Sequence, residues 1–194
     1  MIRRATPADA DVLSSLSRTC FTQTFGHLYD PTDLEAFLDE AYSPAVLRSE
    51  LEDPQRATWL LFDEAGGGCT ELSSSVPPGA ETLGDCHAWP NAPIGYVTAC
   101  PAHLPHRHVA PGDGEIQRLY ILQGHQGGGL GTLLLNTAVD WLQRNGPRTL
   151  WIGVWSENYG AQRFYARHGF EIVGEYSFMV GNHADHELIT RRLP

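Results

Sequence analysis

No lysine occurs among the 194 residues, and all 13 basic side chains are arginines. That absence removes the lysine that holds phosphates in Walker-A NTPases and kinases, and the amine that PLP enzymes and Schiff-base aldolases use covalently. Positive charge is scarce as well: 13 basic residues stand against 23 acidic ones, a formal net charge of −10. Such a balance argues against nucleic acid or an anionic membrane surface as partner and leaves room for a cationic small molecule. No apolar run approaches the roughly 18 residues that a membrane span requires, because charge or glycine interrupts every hydrophobic stretch. The four cysteines, Cys20, Cys69, Cys86 and Cys100, include no C-x-x-C pair, and no apolar signal segment follows Met1-Ile2-Arg3-Arg4. A reducing, cytoplasmic setting is the expectation.

What remains is a chain with 42% hydrophobic residues, enough to bury the core of a single domain over residues 1–194. Met1 to Arg4 reads as a strand, and Thr6-Pro7 opens a helix that turns Val12, Leu13, Leu16 and Cys20 inward. Leu34, Phe37, Leu38 and Ala41 keep helical spacing, and Ser43-Pro44 recaps the chain for another turn or two. Ala57 to Phe62 reads as a strand, and residues 64–93, rich in Gly, Ser and Pro, as a surface insertion. Strands follow at Ile94 to Cys100 and Glu115 to Leu122. A helix from Leu130 to Leu142 stops at Asn145-Gly146-Pro147, and a strand from Thr149 to Val154 comes next. Ser156 or Asn158 caps a short helix ending near His168, and two strands around Gly181-Asn182 finish the chain. This order predicts an α/β fold with a sheet of about seven strands and two helical faces.

Gln126-Gly127-Gly128-Gly129-Leu130-Gly131-Thr132 joins a strand to an amphipathic helix. Four glycines there leave backbone N–H groups bare beside a positive helix end, a cradle for phosphate or pyrophosphate. Thr132 stands where G-x-G-x-x-G needs its last glycine, so a Rossmann dinucleotide site is disfavoured. Cys100, His103, His106 and His108 match no zinc spacing, and no metal is expected. His183, Asp185 and His186 flank a hairpin turn and read as solvated. The eight acidic residues between Asp30 and Asp53, opposed only by Arg48, read first as a solvated helical face.

The glycine segment resembles the acetyl-CoA signature Q/R-x-x-G-x-G/A of the GNAT N-acetyltransferases, matched by Gln126, Gly129 and Gly131. Asn158 through Phe170 is similar to the family pattern N-x-x-A-x-x-F-Y-x-x-x-G-F. The resemblance implies a GNAT fold, a single mixed sheet flanked by about four helices, with acetyl-CoA as acyl donor. It implies that the pyrophosphate rests on Gly127 to Thr132 and that pantetheine lies between splayed strands at Leu119-Tyr120-Ile121 and Trp151 to Val154. Asn158 would then lie near the pantetheine arm, a backbone N–H near Ile121 would steady the oxyanion, and Tyr165 would protonate the leaving thiolate. Phe164, pointing about 100° away, takes the core role. Glu115, eleven residues before Gln126, matches the strand-borne general base of some members, others of which use ordered water.

Cys20 to Leu51 and Ser177 to Ile189 resemble the PaiA-type spermidine/spermine acetyltransferases. This implies a polyamine acceptor drawn to an acidic wall that includes Asp33 and Glu35. Another small amine or a peptide N-terminus stays open, as does a catalytically silent acyl-CoA-binding module. The chain is expected to act as a monomer or homodimer.

Overall fold

The computed structural model describes residues 1–63 and 92–194. The expected insertion at 64–93 lies outside the described residues except for Ala92 and Pro93, and Pro93 already begins a strand. The chain runs β1 (Ile2–Arg4), α1 (Ala10–Phe25), α2 (Pro31–Tyr42), α3 (Pro44–Glu52), β2 (Ala57–Phe62), β3 (Pro93–Pro101), β4 (Gly114–Ile121), α4 (Leu130–Leu142), β5 (Leu150–Trp155), α5 (Tyr159–Arg167), β6 (Glu171–Val180) and β7 (His183–Arg192). These strands form one seven-stranded sheet in the order β1-β2-β3-β4-β5-β7-β6. All neighbours are antiparallel except β4 and β5, which are parallel.

Ser43 ends α2 and starts α3, its Oγ accepting from the Val46 N–H while Pro44 takes the first helical position. The turn or two expected after Ser43-Pro44 is thus a nine-residue helix of its own. Helices α1 to α3 cover one face of the sheet, where Leu13, Leu16, Phe21, Leu38, Tyr42 and Leu47 pack on Leu60, Phe62 and Tyr96. On the opposite face α4 buries Leu134, Leu135, Ala138 and Leu142 against Leu61, Val97, Ile116 and Ile152, with Tyr165 and Phe170 completing that core. Each buried leucine, isoleucine, valine or phenylalanine among them contributes about 1.5–3 kcal/mol by leaving water.

Two irregularities of the sheet position the site. The first is a bulge in β4: Ala99 pairs with Ile116 but Thr98 pairs with Arg118, so Gln117 is the extra residue. A bulge reverses the alternation of side chains beyond it. Ile116 and Leu119 therefore share the α4 face, whereas Glu115 and Tyr120 share the α1–α3 face. The second is a splay: β4 and β5 pair only at Gly114–Leu150 and Glu115–Trp151. Leu122 N–H donates to Ile94 O at 2.9 Å, so by alternation the backbone groups of Leu119 and Ile121 point away from β3 into the gap. Ser156 N–H donates to His186 O at 2.9 Å, which by the same rule turns the backbone of Gly153 toward the gap from the other side.

Candidate active site

A cavity of about 760 Å³ runs from the glycine segment through this gap to the α1–α3 face. At the glycine end, Gly127, Gly128 and Gly129 all have positive φ, at 103°, 57° and 81°. A Cβ at any of the three would meet nothing within 4 Å, so glycine is required there by backbone conformation and not by crowding. The loop ends with Gly129 as N-cap of α4, and the amides of the first turn have no carbonyl within the helix to bond. Gln126 Nε2 donates to Ile121 O at 3.2 Å, tying the loop to the end of β4. Thr132 Oγ1 lies 3.3 Å from His168 Nε2, whose ring packs at a tilt on Phe164 and joins α4 to α5.

In the middle of the cavity, Tyr165 and Phe164 both line the wall, but their depths are the reverse of the expected core and polar roles. Tyr165 is 8% exposed and belongs to the core cluster; Phe164 is partly buried and covers Gly131 at 3.5 Å. Burial raises the Tyr165 phenol above its usual range, so it stays protonated at neutral pH. Asn158 caps α5, its Oδ1 accepting from Ala161 N–H at 3.0 Å, and also lines the cavity. At Gly153 the absent side chain admits the Tyr176 hydroxyl, which would stand 2.9 Å from a Cβ.

The far end is walled by Tyr29, Tyr42, Tyr120 and Tyr176, with Phe25 and Trp155 beside them. Two carboxylates of β7 enter it. Asp185 is buried; the Tyr29 hydroxyl donates to its Oδ2, and His183 Nε2 lies 3.2 Å from its Oδ1. Glu187, pairing with Trp155 and Tyr176 across the sheet, has its carboxyl pushed up to about 7, by burial first and by the charge of Asp185 second. A carboxylate titrating there is suited to take a proton from an amine near neutral pH. Arg118, which also lines this end, is occupied: Nη1 and Nη2 both reach Glu50, at 2.5 and 3.2 Å, over the Tyr42 ring.

Glu115 is not the solvated strand end that its position allows. It is 3% exposed, and its Oε2 accepts from His103 N–H at 2.8 Å and faces His103 Nδ1 at 3.1 Å. Bonding to Cys100 first and to Glu115 next raises the His103 imidazole to about 10.

The structure gathers most of the expected residues around one cavity: Glu115, Leu119, Tyr120, Ile121, Gln126, Gly127, Gly129, Gly131, Thr132, Asn158 and Tyr165. Gly128 and Leu130 belong to the same turn without lining it. Asp33 and Glu35 lie elsewhere. Asp33 Oδ2 accepts from Asn182 N–H at 3.2 Å and holds the β6–β7 turn, and Glu35 is paired with Arg18 at 2.5 Å on the surface. Besides Glu115, the acidic groups inside are Asp185 and Glu187 instead, and Asp185 is not a solvated turn residue. Their signal was available, since acidic residues two apart fall on one face of a strand.

The acetyltransferase (GNAT) family model matches residues 15–170. The chain belongs to the GNAT acetyltransferases. It is 38% identical over 188 residues to an uncharacterised N-acetyltransferase of Mycobacterium tuberculosis, covering 95% of this chain and 97% of that one. To an uncharacterised N-acetyltransferase of Lactobacillus delbrueckii it is 25% identical over 178 residues, covering 92% and 88%. Among solved structures, the PaiA N-acetyltransferase of Thermoplasma acidophilum in complex with coenzyme A aligns at TM-score 0.69 and 17% identity, covering 100% of this chain and 98% of that one. The ribosomal-protein-alanine N-acetyltransferase of Brucella melitensis aligns at 0.59 and 18%, covering 100% and 99%. These likenesses carry the mixed α/β GNAT fold, and family membership makes the chain an acetyl-CoA-dependent N-acetyltransferase. The glycine turn and the open strand edges fit that donor: the amides that begin α4 would suit its pyrophosphate, and the backbone of Leu119, Ile121 and Gly153 turned into the gap would offer pantetheine a strand-like berth. Among the described residues no helix is long and apolar enough to cross a membrane.

Proposed function

We propose that this GNAT enzyme acetylates a primary amine of a small polycation of the spermidine type, by direct transfer with no acyl-enzyme. The observation that carries the reading is the carboxylate pair Asp185 and Glu187 inside a tyrosine-walled pocket that opens onto the splay of β4 and β5. Ammonium groups are held by such a combination of buried negative charge and aromatic faces. Acetyl-CoA, when bound, supplies the activated thioester. Asp185 draws in the ammonium, and Glu187 removes its proton to free the lone pair. The Ile121 N–H faces the gap as an oxyanion donor, and Tyr165 gives its proton to the departing sulfur. Glu115 at the pocket floor is paired with His103, whose imidazole is raised to about 10, so its charge is already balanced.

Purified enzyme mixed with acetyl-CoA and a panel of spermidine, spermine, neutral-tailed monoamines and peptide N-termini, with free thiol followed over time, tests this. Spermidine or spermine is expected to give the highest kcat/KM. Preference for a peptide N-terminus or a monoamine would overturn the acceptor class and leave the transferase reading intact.

A further inference from the structure

Among the described residues, one cluster at the cavity floor has the donor set of a metal centre. Cys100 and Glu115 pair across β3 and β4, and so project to the same face. Three residues past Cys100, beyond Pro101, the chain turns back and places His103 over both. Cys100 Sγ stands 3.9 Å from His103 Nδ1, which stands 3.1 Å from Glu115 Oε2, and all three donor atoms lie within 4.8 Å of one another. A proton on Nδ1 bridges two of these acceptors at best; a divalent cation satisfies all three.

We propose that Cys100, His103 and Glu115 form a binding site for a thiophilic divalent cation, for which Zn²⁺ is the probe, set in the floor of the acceptor pocket. Zinc bond lengths of about 2.3 Å to sulfur and about 2.0 Å to nitrogen and oxygen put tetrahedral ligands roughly 3.3–3.6 Å apart. The observed separations bracket that range. The adjustment falls on His103, whose side chain is half exposed, while Cys100 and Glu115 are held by the sheet. His103 and Glu115 also line the cavity, so a fourth coordination position opens toward the acceptor, as in sites with three protein ligands and one exchangeable one. The other histidines of this segment do not join: His106 packs on Trp151 at 5.1 Å and His108 on His106 at 5.2 Å. On binding, the thiol and the Nδ1 position give up their protons to the buffer and three metal–ligand bonds form. Two protons are exchanged for one divalent cation, so the net charge is unchanged, but the metal engages the Glu115 carboxylate and its open position projects into the cavity floor, so it competes with the amine for that space and not with acetyl-CoA.

Two measurements need no substrate and stand apart from the acceptor assignment. Calorimetry of the chelator-treated full chain should show one Zn²⁺ per chain, and Co²⁺ should give a thiolate-to-metal charge-transfer band. Both should weaken by at least about 100-fold in Cys100→Ala and in His103→Ala, since even outer-shell partners of a metal are worth about 10–100-fold. Cys100→Ser serves if the alanine variant misfolds. Kinetically, Zn²⁺ should raise the KM for the amine in wild type, whereas Cys100→Ala keeps the metal-free rate and loses the inhibition. Absence of saturable binding would overturn the site, as would a charge-transfer band that persists in Cys100→Ala. Inhibition without an effect on the amine KM would overturn its link to the acceptor pocket.

Discussion

The Tyr29 hydroxyl donates a hydrogen bond to Asp185 Oδ2 across 156 positions of sequence, and so fastens the α1–α2 connection to β7 over the acceptor end of the cavity. Burial and the neighbouring carboxylate both raise the Tyr29 phenol above its usual range, so it remains a donor throughout neutral pH. Tyr29→Phe removes that donor and leaves a buried oxygen unpartnered, a loss of about 1–3 kcal/mol. Thermal denaturation should register the loss, and the amine KM should rise while the acetyl-CoA Kd stays as in wild type.

Gly131→Glu tests the donor site more cleanly than a change at Gly129, where φ is 81°. A Cβ at Gly131 meets only the Phe164 ring, at an ordinary 3.5 Å, so the helix should survive. The carboxylate would face the pyrophosphate at a helix N-terminus. Calorimetry is expected to show acetyl-CoA binding lost in a folded variant.

Tyr165→Phe keeps the ring in its packed position and deletes only the proton donor. Turnover should fall by roughly 10²-fold, within the usual range for a general acid, with little change in acetyl-CoA affinity. Equal turnover in the two proteins would leave Tyr165 a core aromatic.

The pH dependence of catalysis should belong to Glu187. Its carboxyl is raised from 4.5 to about 7, and a base works only when deprotonated, so kcat/KM should decline below about pH 7. Glu187→Gln should lower the rate and abolish that limb, whereas Glu115→Gln should leave the limb in place. Stability carries the opposite sign. The folded state holds this proton more tightly than the unfolded chain, so the stabilising contribution is complete below about 4.5 and lost as pH rises through about 7. The glutamine variant should therefore melt higher than wild type at pH 8, and the gap should close on acidification.

The acceptor field is expected to originate in the pocket and not on α2. Asp185→Asn should reduce kcat/KM for spermidine, and raising salt should weaken the polyamine advantage to the extent that solvent reaches the pocket. Reversing charge at Glu35, which is paired with Arg18 on the surface, should leave spermidine kinetics unchanged.

Much of the architecture is legible because the strands and helices are locally decided. Leu130 to Leu142 holds helical period to a glycine and proline stop, and Ala57 to Phe62 is a short apolar run between turn residues. The glycine cradle is equally local, since four glycines before an apolar helix need no distant partner to be recognised. Depth is what sequence hides. Asp185 sits three residues after a Gly-Asn turn and reads as solvated; it is buried because Tyr29, far away in sequence, closes over it. Cys100 and His103 show no zinc spacing, because their third partner, Glu115, arrives from the next strand.

The extra residue in β4 has a topological consequence. With unbroken alternation, Glu115 would share a face with Leu119 and Ile121 and project into the core beneath α4. Gln117 shifts that parity, and its amide oxygen is held by Arg56 Nη1 at 2.9 Å. One strand thereby serves two compartments in succession, presenting its carboxylate to one side of the sheet and its apolar pair to the other. Deleting residue 117 would therefore leave a regular ladder, Ile116 beside Arg118, with every side chain on its present side: the extra residue is what lets this longer strand keep both compartments lined.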